Sequence, residues 1–433
     1  MTREYQKITP ATGQQSHANQ QLQQQLQVAE QRRRAQLEEE FFNTEEFERR
    51  LLEVVHLASS RDLNDKVAEA IRERLDRLEK DPNIVNQHAE GPFTYDDAVL
   101  ATSKYYHDQG IRAGVQGGNL AKWIATGVAA LLNRDERDFI HLAGRTPTGP
   151  VVLDDKPEHR IAVIGDAGFR CKAQQRVVEL MKAQTTEETT YDYVIHLGDT
   201  YFAGSAGEML VNLLSAIFEM PASRRAALAG NHDLYFGPEP FMHALTILQQ
   251  PGRYFCIEAG AWRIACLDTS LASATVLREK GSLDSQQVNW LSKLANSVQG
   301  RRLILMGHHP PISAHGEASE DLVEQIGQSV LRKTAAWYWG HEHRCIAYKP
   351  SPDGWVGSLV GNGVFQEARG GEPIDEEIEW EAQGTCTCYG SERGGVSDLP
   401  HGYMELVIGP NSLQERYILE NDERHTRNIE LQQ

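Results

Sequence analysis

The chain of 433 residues lacks a long apolar run, an excess of basic charge and a regular cysteine spacing, and each absence excludes something. Its longest apolar stretch, 120–132 (LAKWIATGVAALL), falls short of the ~20 residues that cross a bilayer and contains Lys122, so it predicts a buried helix. Residues 113–118 (AGVQGG) could extend it, which leaves peripheral membrane contact open over 113–132. The N-terminal MTREYQKITP has no apolar core, and no secretory signal is expected. Lysine and arginine number 43 against 61 acidic residues, a formal charge of −18, and such a surface repels nucleic acid and anionic membrane. No nucleic-acid partner is therefore expected. The six cysteines are scattered, and several sit in apolar runs where buried reduced thiols are common, which implies a reducing, cytoplasmic setting. Cys386 and Cys388 form a C-x-C pair with no second pair nearby, which argues against zinc there.

What is present is the texture of a globular protein: 40% hydrophobic and 24% charged residues, in a chain long enough for two or three domains. Residues 1–42 are polar and rich in Gln, Arg and Glu, a disordered tail or solvated helix. Over 43–144 the spacing turns helical. Asn43 with Glu46 reads as a capping box, Phe47, Leu51, Val54 and Val55 share a face, and Val67, Ile71, Leu75 and Leu78 repeat the pattern. The region carries no cluster of catalytic side chains and reads as an interaction, regulatory or self-association module. Residues 145–157 hold three prolines and read as a linker. From 158 to 420 short apolar runs alternate with helical stretches, which implies an α/β layered fold. Strands are expected at 160–164, 193–197, 226–229, 302–306 and 335–339, a hairpin at 254–267, and closing strands at 403–408 and 413–418. Helices are expected near 172–182, 208–219 and 285–297. Residues 366–400 read as a long loop near the site or a lid, and 421–433 as a polar tail.

Five short motifs close the apolar runs in fixed order: Gly165-Asp166-Ala167-Gly168, Gly198-Asp199, Gly230-Asn231-His232-Asp233, Gly307-His308-His309-Pro310 and Gly340-His341-Glu342-His343. Ligands in layered α/β folds gather at such strand ends. Asp166 and Asp199 offer carboxylates, Asn231 an amide oxygen, and His308, His341 and His343 imidazoles. Hard oxygen and imidazole donors suit Mn, Fe and Zn. Hydrolysis of a phosphate ester must bring a nucleophile to an already anionic phosphorus, and two metals about 3.5–4 Å apart can do this. The glycine before each ligand is expected to let the chain turn sharply out of the strand.

The set resembles the calcineurin-like metallophosphoesterase superfamily. Gly-Asp-x-Gly, the run His309-Pro310-Pro311 leading to His315-Gly316, and Leu267-Asp268-Thr269 are similar to its purple acid phosphatase-like branch. The resemblance covers about residues 158–350 and implies a four-layer α/β/β/α sandwich preceded by the helical region. It implies two divalent or trivalent metal ions, the first held by Asp166 and His343, the second by Asn231, His308 and His341, with Asp199 bridging them. His232 would stabilise phosphate or act as general acid, oriented by Asp233. His315 would touch substrate or the attacking water, and His309 would pack or support rather than ligate. The branch places a tyrosine three residues after the bridging aspartate, where this chain has Phe202. Tyr201, one residue closer, either reaches the metal across a shorter loop or packs in the core. Gly168 cannot supply the imidazole that other branches carry there.

The implied activity is hydrolysis of a phosphomonoester or phosphodiester, with a bridging hydroxide as nucleophile and a small phosphoester as substrate. Asp199-Thr200-Tyr201 replaces the Asp-Arg-Gly of the protein serine/threonine phosphatases and argues against that branch. The alternative is a catalytically weak fold serving as an interaction scaffold through its N-terminal helices.

Overall fold

The computed structural model describes residues 147, 149–168, 172–186, 189–201, 203–204, 208–235, 237–273, 278–300, 302–313, 318–364, 377–388 and 399–429. The expected tail over 1–42, the helical module over 43–144 and its apolar stretch at 113–132 lie outside the described residues, as do Phe202 and His315.

Strand alternation builds the frame. In β2 (His159–Ile164), Ile161 and Val163 enter one core while Ala162 and Ile164 enter another, as successive side chains on a strand must. β2 pairs in parallel with β3 (Tyr191–His196), and β3 with β4 (Ala222–Ala227). Parallel neighbours need long crossovers. α1 (Lys172–Ala183) lies between β2 and β3 in the chain, and a π-helical turn at Met209–Leu214 running into α2 (Ser215–Glu219) lies between β3 and β4. The expected single helix over 208–219 is thus two helical forms in succession. α3 (Glu239–Ile247) then leads to the hairpin of β5 (Phe255–Ala259) and β6 (Trp262–Cys266), antiparallel as expected.

α4 (Ser285–Ser297) starts where Asp284 caps it, its side chain accepting the Gln287 N–H at 2.9 Å. β7 (Leu303–Met306), α5 (Glu320–Ile326), α6 (Gln328–Leu331) and β8 (Thr334–Trp339) follow, with β7 and β8 parallel. Next come β9 (Cys345–Tyr348), β10 (Val356–Val360), β11 (Ile378–Glu381), β12 (Gly402–Ile408), β13 (Leu413–Leu419) and β14 (Arg424–Ile429). β1 (Val151–Val152) pairs with β5.

Two sheets result, one ordered β14-β13-β12-β2-β3-β4 and the other β1-β5-β6-β7-β8-β10-β9-β11. Ile161, Tyr193 and Leu406 of the first meet Ile257, Ile304 and Tyr338 of the second in a central core. The outer face of the first sheet packs on α1, α2 and α3 through Val177, Met181, Ile217 and Phe241. The outer face of the second packs on α4, α5 and α6 through Leu291, Leu322 and Val330. This is the α/β/β/α sandwich. At roughly 1.5–3 kcal/mol for each large apolar side chain buried, these three cores hold the frame that fixes the strand ends.

A polar knot crosses the sandwich. The Glu415 carboxylate, wholly buried, accepts Tyr338 Oη–H at 2.9 Å, Tyr417 Oη–H at 2.6 Å and Arg427 Nε–H at 2.8 Å. Arg427 also donates to the Tyr348 carbonyl at 2.6 Å. A buried ion pair is tolerable only when its remaining donors and acceptors are filled, as here.

Three boundaries differ from the sequence expectation. β1 lies inside the expected linker, where Val151 and Val152 take up the free edge of β5. β14 lies inside the expected polar tail, as an edge strand paired to β13 along its length. Within 366–400, expected as a loop or lid, Ile378–Glu381 forms β11, and most of the rest lies outside the described residues.

Candidate metal centre

Asp166, Asp199 and Asn231 follow the C-terminal ends of β2, β3 and β4, and His308 and His341 follow those of β7 and β8. Because these strands run parallel within each sheet, their C-terminal ends gather at one rim. The turns are tight. Asp166, Asp199, Tyr201 and His341 have φ of 55°, 60°, 49° and 75°, four of the seven positive-φ non-glycine residues among those described. Left-handed backbone costs about 1–2 kcal/mol per such residue, and its concentration here marks a site whose geometry the surroundings impose.

The glycines therefore do something other than expected. Of the five that precede ligands, Gly198 alone takes positive φ, at 110°. The others permit close approach. A Cβ on Gly230 would lie 2.0 Å from Asp199 Oδ1, and one on Gly340 would lie 2.5 Å from Asp166 Oδ2.

His308 Nε2, His341 Nδ1 and Asn231 Oδ1 form a triangle, each pair 3.1 Å apart. His308 Nδ1–H donates to the Leu197 carbonyl at 3.1 Å, which leaves Nε2 as the nitrogen facing the triangle. Asp199 Oδ1 lies 3.4 Å from His308 Nε2 and accepts the His232 N–H at 3.0 Å. Asp166 Oδ2 accepts the His341 N–H at 2.9 Å. On the other side of Asp166, Oδ1 accepts the Tyr201 hydroxyl at 3.0 Å and lies 3.7 Å from His343 Nε2. Tyr201 Oη is itself 2.6 Å from His343 Nε2. Tyr201 meets both expectations in part: its ring packs in the core and its hydroxyl reaches Asp166 and His343.

The charges act on one another. Burial raises the Asp166 carboxyl well above its usual range, and the nearby Asp199 adds to this. Asp199 is equally buried, but the imidazoles of His308 and His232 hold its carboxyl below the usual range. Burial alone would lower His308, yet Asp199 beside it raises it to about 9. Burial and the neighbouring His309 and His308 push His341 well below its ordinary value. A buried cluster of two carboxylates, an amide oxygen and imidazole lone pairs is what a cation satisfies.

The donor spacing fits. Ligand atoms about 2.1 Å from one ion stand roughly 3.0–3.4 Å from each other in octahedral or tetrahedral arrangement, which the 3.1 Å triangle matches. Asp166, Asp199 and His308 also present donor atoms within 4.8 Å of one another, so Asp199 stands beside both groups.

Two expected roles change or sharpen. Asp233 does not orient His232. Its Oδ2 accepts the N–H groups of Asp199 and Gly230, both at 2.8 Å, and its Oδ1 accepts Thr200 N–H at 3.0 Å and Thr200 Oγ1–H at 2.5 Å. These fill a carboxylate's acceptor sites, so Asp233 ties two ligand turns together. His309 is fully occupied: Nε2–H donates to the Arg278 carbonyl at 2.6 Å and Nδ1 accepts from Thr269 Oγ1 at 2.8 Å. A ring nitrogen of His309 nonetheless lies within 4.8 Å of ring nitrogens of His308 and His341.

Sequence reasoning missed three contributors. Thr269 Oγ1 accepts the N–H of His308 at 3.3 Å and of His309 at 3.2 Å, pinning the fourth motif. Tyr235 Oη accepts Asn231 Nδ2–H at 2.5 Å, leaving Asn231 Oδ1 for the triangle. His196 Nε2–H donates to Ala167 O at 2.8 Å, and its Nδ1 accepts Gly198 N–H at 3.1 Å, linking the first two motifs. The four-residue spacing of Asn231 and Tyr235, and the Leu267-Asp268-Thr269 run, were the local signals for these.

Comparison with known proteins agrees with this geometry. Residues 159–345 match the family model described as calcineurin-like phosphoesterase. No curated protein sequence matches the chain. Among solved structures, GAP50, described as the anchor in the inner membrane complex of Plasmodium, is similar at 14% identity and TM-score 0.47, over 64% of this chain and 90% of that one. Purple acid phosphatase PPD1 from yellow lupin (Lupinus luteus) seeds is similar at 14% identity and TM-score 0.43, over 64% of this chain and 54% of that one. PhoD is similar at 12% identity and TM-score 0.38, over 65% of this chain and 70% of that one. The rim of donors and the parallel strands that carry it thus lie within the segment, residues 159–345, that matches the calcineurin-like phosphoesterase family model.

Proposed function

We propose that the protein is a metal-dependent phosphoesterase acting on a small phosphomonoester or phosphodiester. The observation that carries this reading is the 3.1 Å triangle of His308 Nε2, His341 Nδ1 and Asn231 Oδ1, with Asp199 beside it. In this reading Asn231, His308 and His341 hold one ion, Asp166, His343 and Tyr201 a second, and Asp199 both. When bound, the ions supply Lewis acidity and a nucleophile drawn from water at neutral pH.

The protein's own residues do the rest. Asp233 holds the turns of Asp199 and Asn231 in register, so the donor atoms need no rearrangement when substrate arrives. His232 stands partly exposed between the rings of Tyr201 and Tyr235, at 4.7 and 4.8 Å between centroids. From there it donates to a phosphoryl oxygen or gives a proton to the leaving oxygen. In this reading His315 is a further substrate contact, as the resemblance implies. The five free thiols among the described residues, Cys256, Cys266, Cys345 and Cys386 buried and Cys388 partly so, favour a reducing, cytoplasmic setting. Among the described residues no helix is long and apolar enough to cross a membrane.

The test is hydrolysis of p-nitrophenyl phosphate and bis-p-nitrophenyl phosphate by Mn-loaded full-length protein, beside His308→Ala and Asp199→Asn. Asp199→Asn weakens both ions at once and is expected to lower turnover by at least about a hundredfold, beyond the effect of losing an outer partner. Turnover unchanged in that variant overturns the reading. The preferred substrate separates monoesterase from diesterase. No turnover at full metal occupancy on a panel of phosphoesters favours a scaffold acting through its N-terminal region.

A further inference from the structure

A second group of donors lies away from the phosphoesterase rim. Cys386 Sγ, Cys388 Sγ and a Glu420 carboxylate oxygen all lie within 4.8 Å of one another. The sequence argued against zinc at this C-x-C pair for want of partners, but the fold brings partners from far along the chain. Glu420 directly follows β13, and His401 directly precedes β12. The pairing of Gly402 with Leu419 sets those two strand ends side by side, and Glu420 N–H donates to the His401 carbonyl at 2.9 Å. The His401 ring and the Cys386 thiol are near enough for each to act on the other's charge.

The supports around the group are those of a built site. Thr387 N–H donates to both Glu420 oxygens, at 3.0 and 3.1 Å, and Thr387 Oγ1–H donates to Oε2. The residue between the two cysteines thus aims the carboxylate at the sulfurs. His401 Nδ1–H donates to the Asn362 carbonyl at 3.3 Å, which leaves Nε2 as the ring nitrogen able to take a metal. Cys386, Glu420 and His401 are buried, at 7%, 2% and 1% exposure.

We propose that Cys386, Cys388, Glu420 and His401 bind a single zinc ion. Two thiolates select a soft or borderline metal over Mg and Mn, and four mixed S, N and O donors match closed tetrahedral zinc. Binding releases the two thiol protons to solvent and leaves zinc, two thiolates and a carboxylate with a net charge of −1 beside a neutral imidazole. The ion clamps 385–388 onto the ends of β12 and β13. It also braces the segment after β10. Asn362, which holds His401, is followed by Gly363 and Val364, whose N–H groups donate to the carbonyls of Gly165 and Asp166, each at 3.1 Å. The zinc therefore stands one strand away from a ligand of the phosphoesterase centre without sharing any residue with it.

The test uses cobalt(II) in reduced full-length protein. A thiolate bound to cobalt gives an intense charge-transfer band in the near ultraviolet, and among the described residues the donors of the phosphoesterase rim include no sulfur. One equivalent of band is expected, titrated away by zinc, retained in Asp199→Asn, and lost in Cys388→Ser and in Cys386→Ser. Glu420→Gln, which keeps the shape of the side chain, is expected to keep the band and weaken zinc affinity at least tenfold. Absence of the band in wild type, or its survival in the Cys386→Ser, Cys388→Ser double variant, overturns the proposal. So does a Cys386–Cys388 disulfide found by mass measurement in protein that carries its full metal content.

Discussion

Gly168 and the Thr200 carbonyl occupy adjoining space so tightly that a Cβ at 168 would lie 1.9 Å from Thr200 O. That carbonyl cannot withdraw, because Thr200 N–H and Oγ1–H are both held by Asp233 and the next residue, Tyr201, is anchored on Asp166 and His343. The missing imidazole at 168 and the tyrosine at 201 are thus one arrangement: the turn that delivers Tyr201 fills the place a side chain at 168 would need. Gly168→Ala is expected to push the 199–201 turn aside, at about 1–3 kcal/mol of stability. Metal-dependent turnover should fall tenfold or more, since Asp199 moves with the turn. Melting temperature and turnover measured together check this, and a variant matching wild type in both would show that the turn has room.

Asp233 is expected to matter for stability before it matters for chemistry. Its four bonds to the Asp199, Thr200 and Gly230 turns are buried, and an amide can accept at only one of its two ends. Asp233→Asn should cost on the order of 3 kcal/mol, because backbone donors are left facing an amide N–H. Urea unfolding reads the loss. Were Asp233 instead the partner of His232, the variant would keep its stability and shift the pH–rate profile.

The central layers were legible because their strands are short apolar runs bounded by glycine and turn residues, and the five motifs sat at their ends. β14 was not legible: in RHTRNI only Arg427 and Ile429 are buried, so an edge strand facing water on one side reads as a polar tail. β1 is two residues long and means nothing until β5 offers its edge. Within the site, residue types were readable and partners were not. Asp233 looked like a helper to the adjacent histidine, yet its acceptors face residues 33 and 34 positions away. The C-x-C pair looked isolated for the same reason: Glu420 reaches Thr387 across 33 positions, through a strand pairing that no local pattern announces.

His309 gives the pH prediction. Burial, then the charge on His308, pushes it down to about 3 from an ordinary 6.5. A histidine depressed in the folded state stays neutral there while the unfolded chain takes up a proton below about 6.5, so stability falls as pH drops through that value. At pH 5 the loss amounts to about 2 kcal/mol. Glutamine can keep a donor for the Arg278 carbonyl and never titrates. His309→Gln should therefore flatten the decline of stability between pH 7 and 5, read as the difference between variant and wild type in urea unfolding with chelator present. Parallel declines would mean that His309 already titrates normally in the fold.

His232 is held at its backbone, and its ring stands partly exposed at the rim. Its N–H is fixed on Asp199 Oδ1 at 3.0 Å, while the ring stands partly exposed between two tyrosines. A group placed so can serve the leaving oxygen, and the identity of the leaving group tells which service it gives. Nitrophenolate departs without a proton, whereas an alkoxide needs one. If His232 supplies it, His232→Ala should lower turnover of an alkyl phosphate by roughly 10²–10⁴-fold, the range of general acid catalysis, and that of p-nitrophenyl phosphate by much less. Both substrates should be measured across pH, because loss of the acid also removes the alkaline limb for the alkyl ester alone. Equal losses on the two esters, with unchanged pH profiles, would assign His232 to holding the phosphoryl oxygens and leave the proton to solvent.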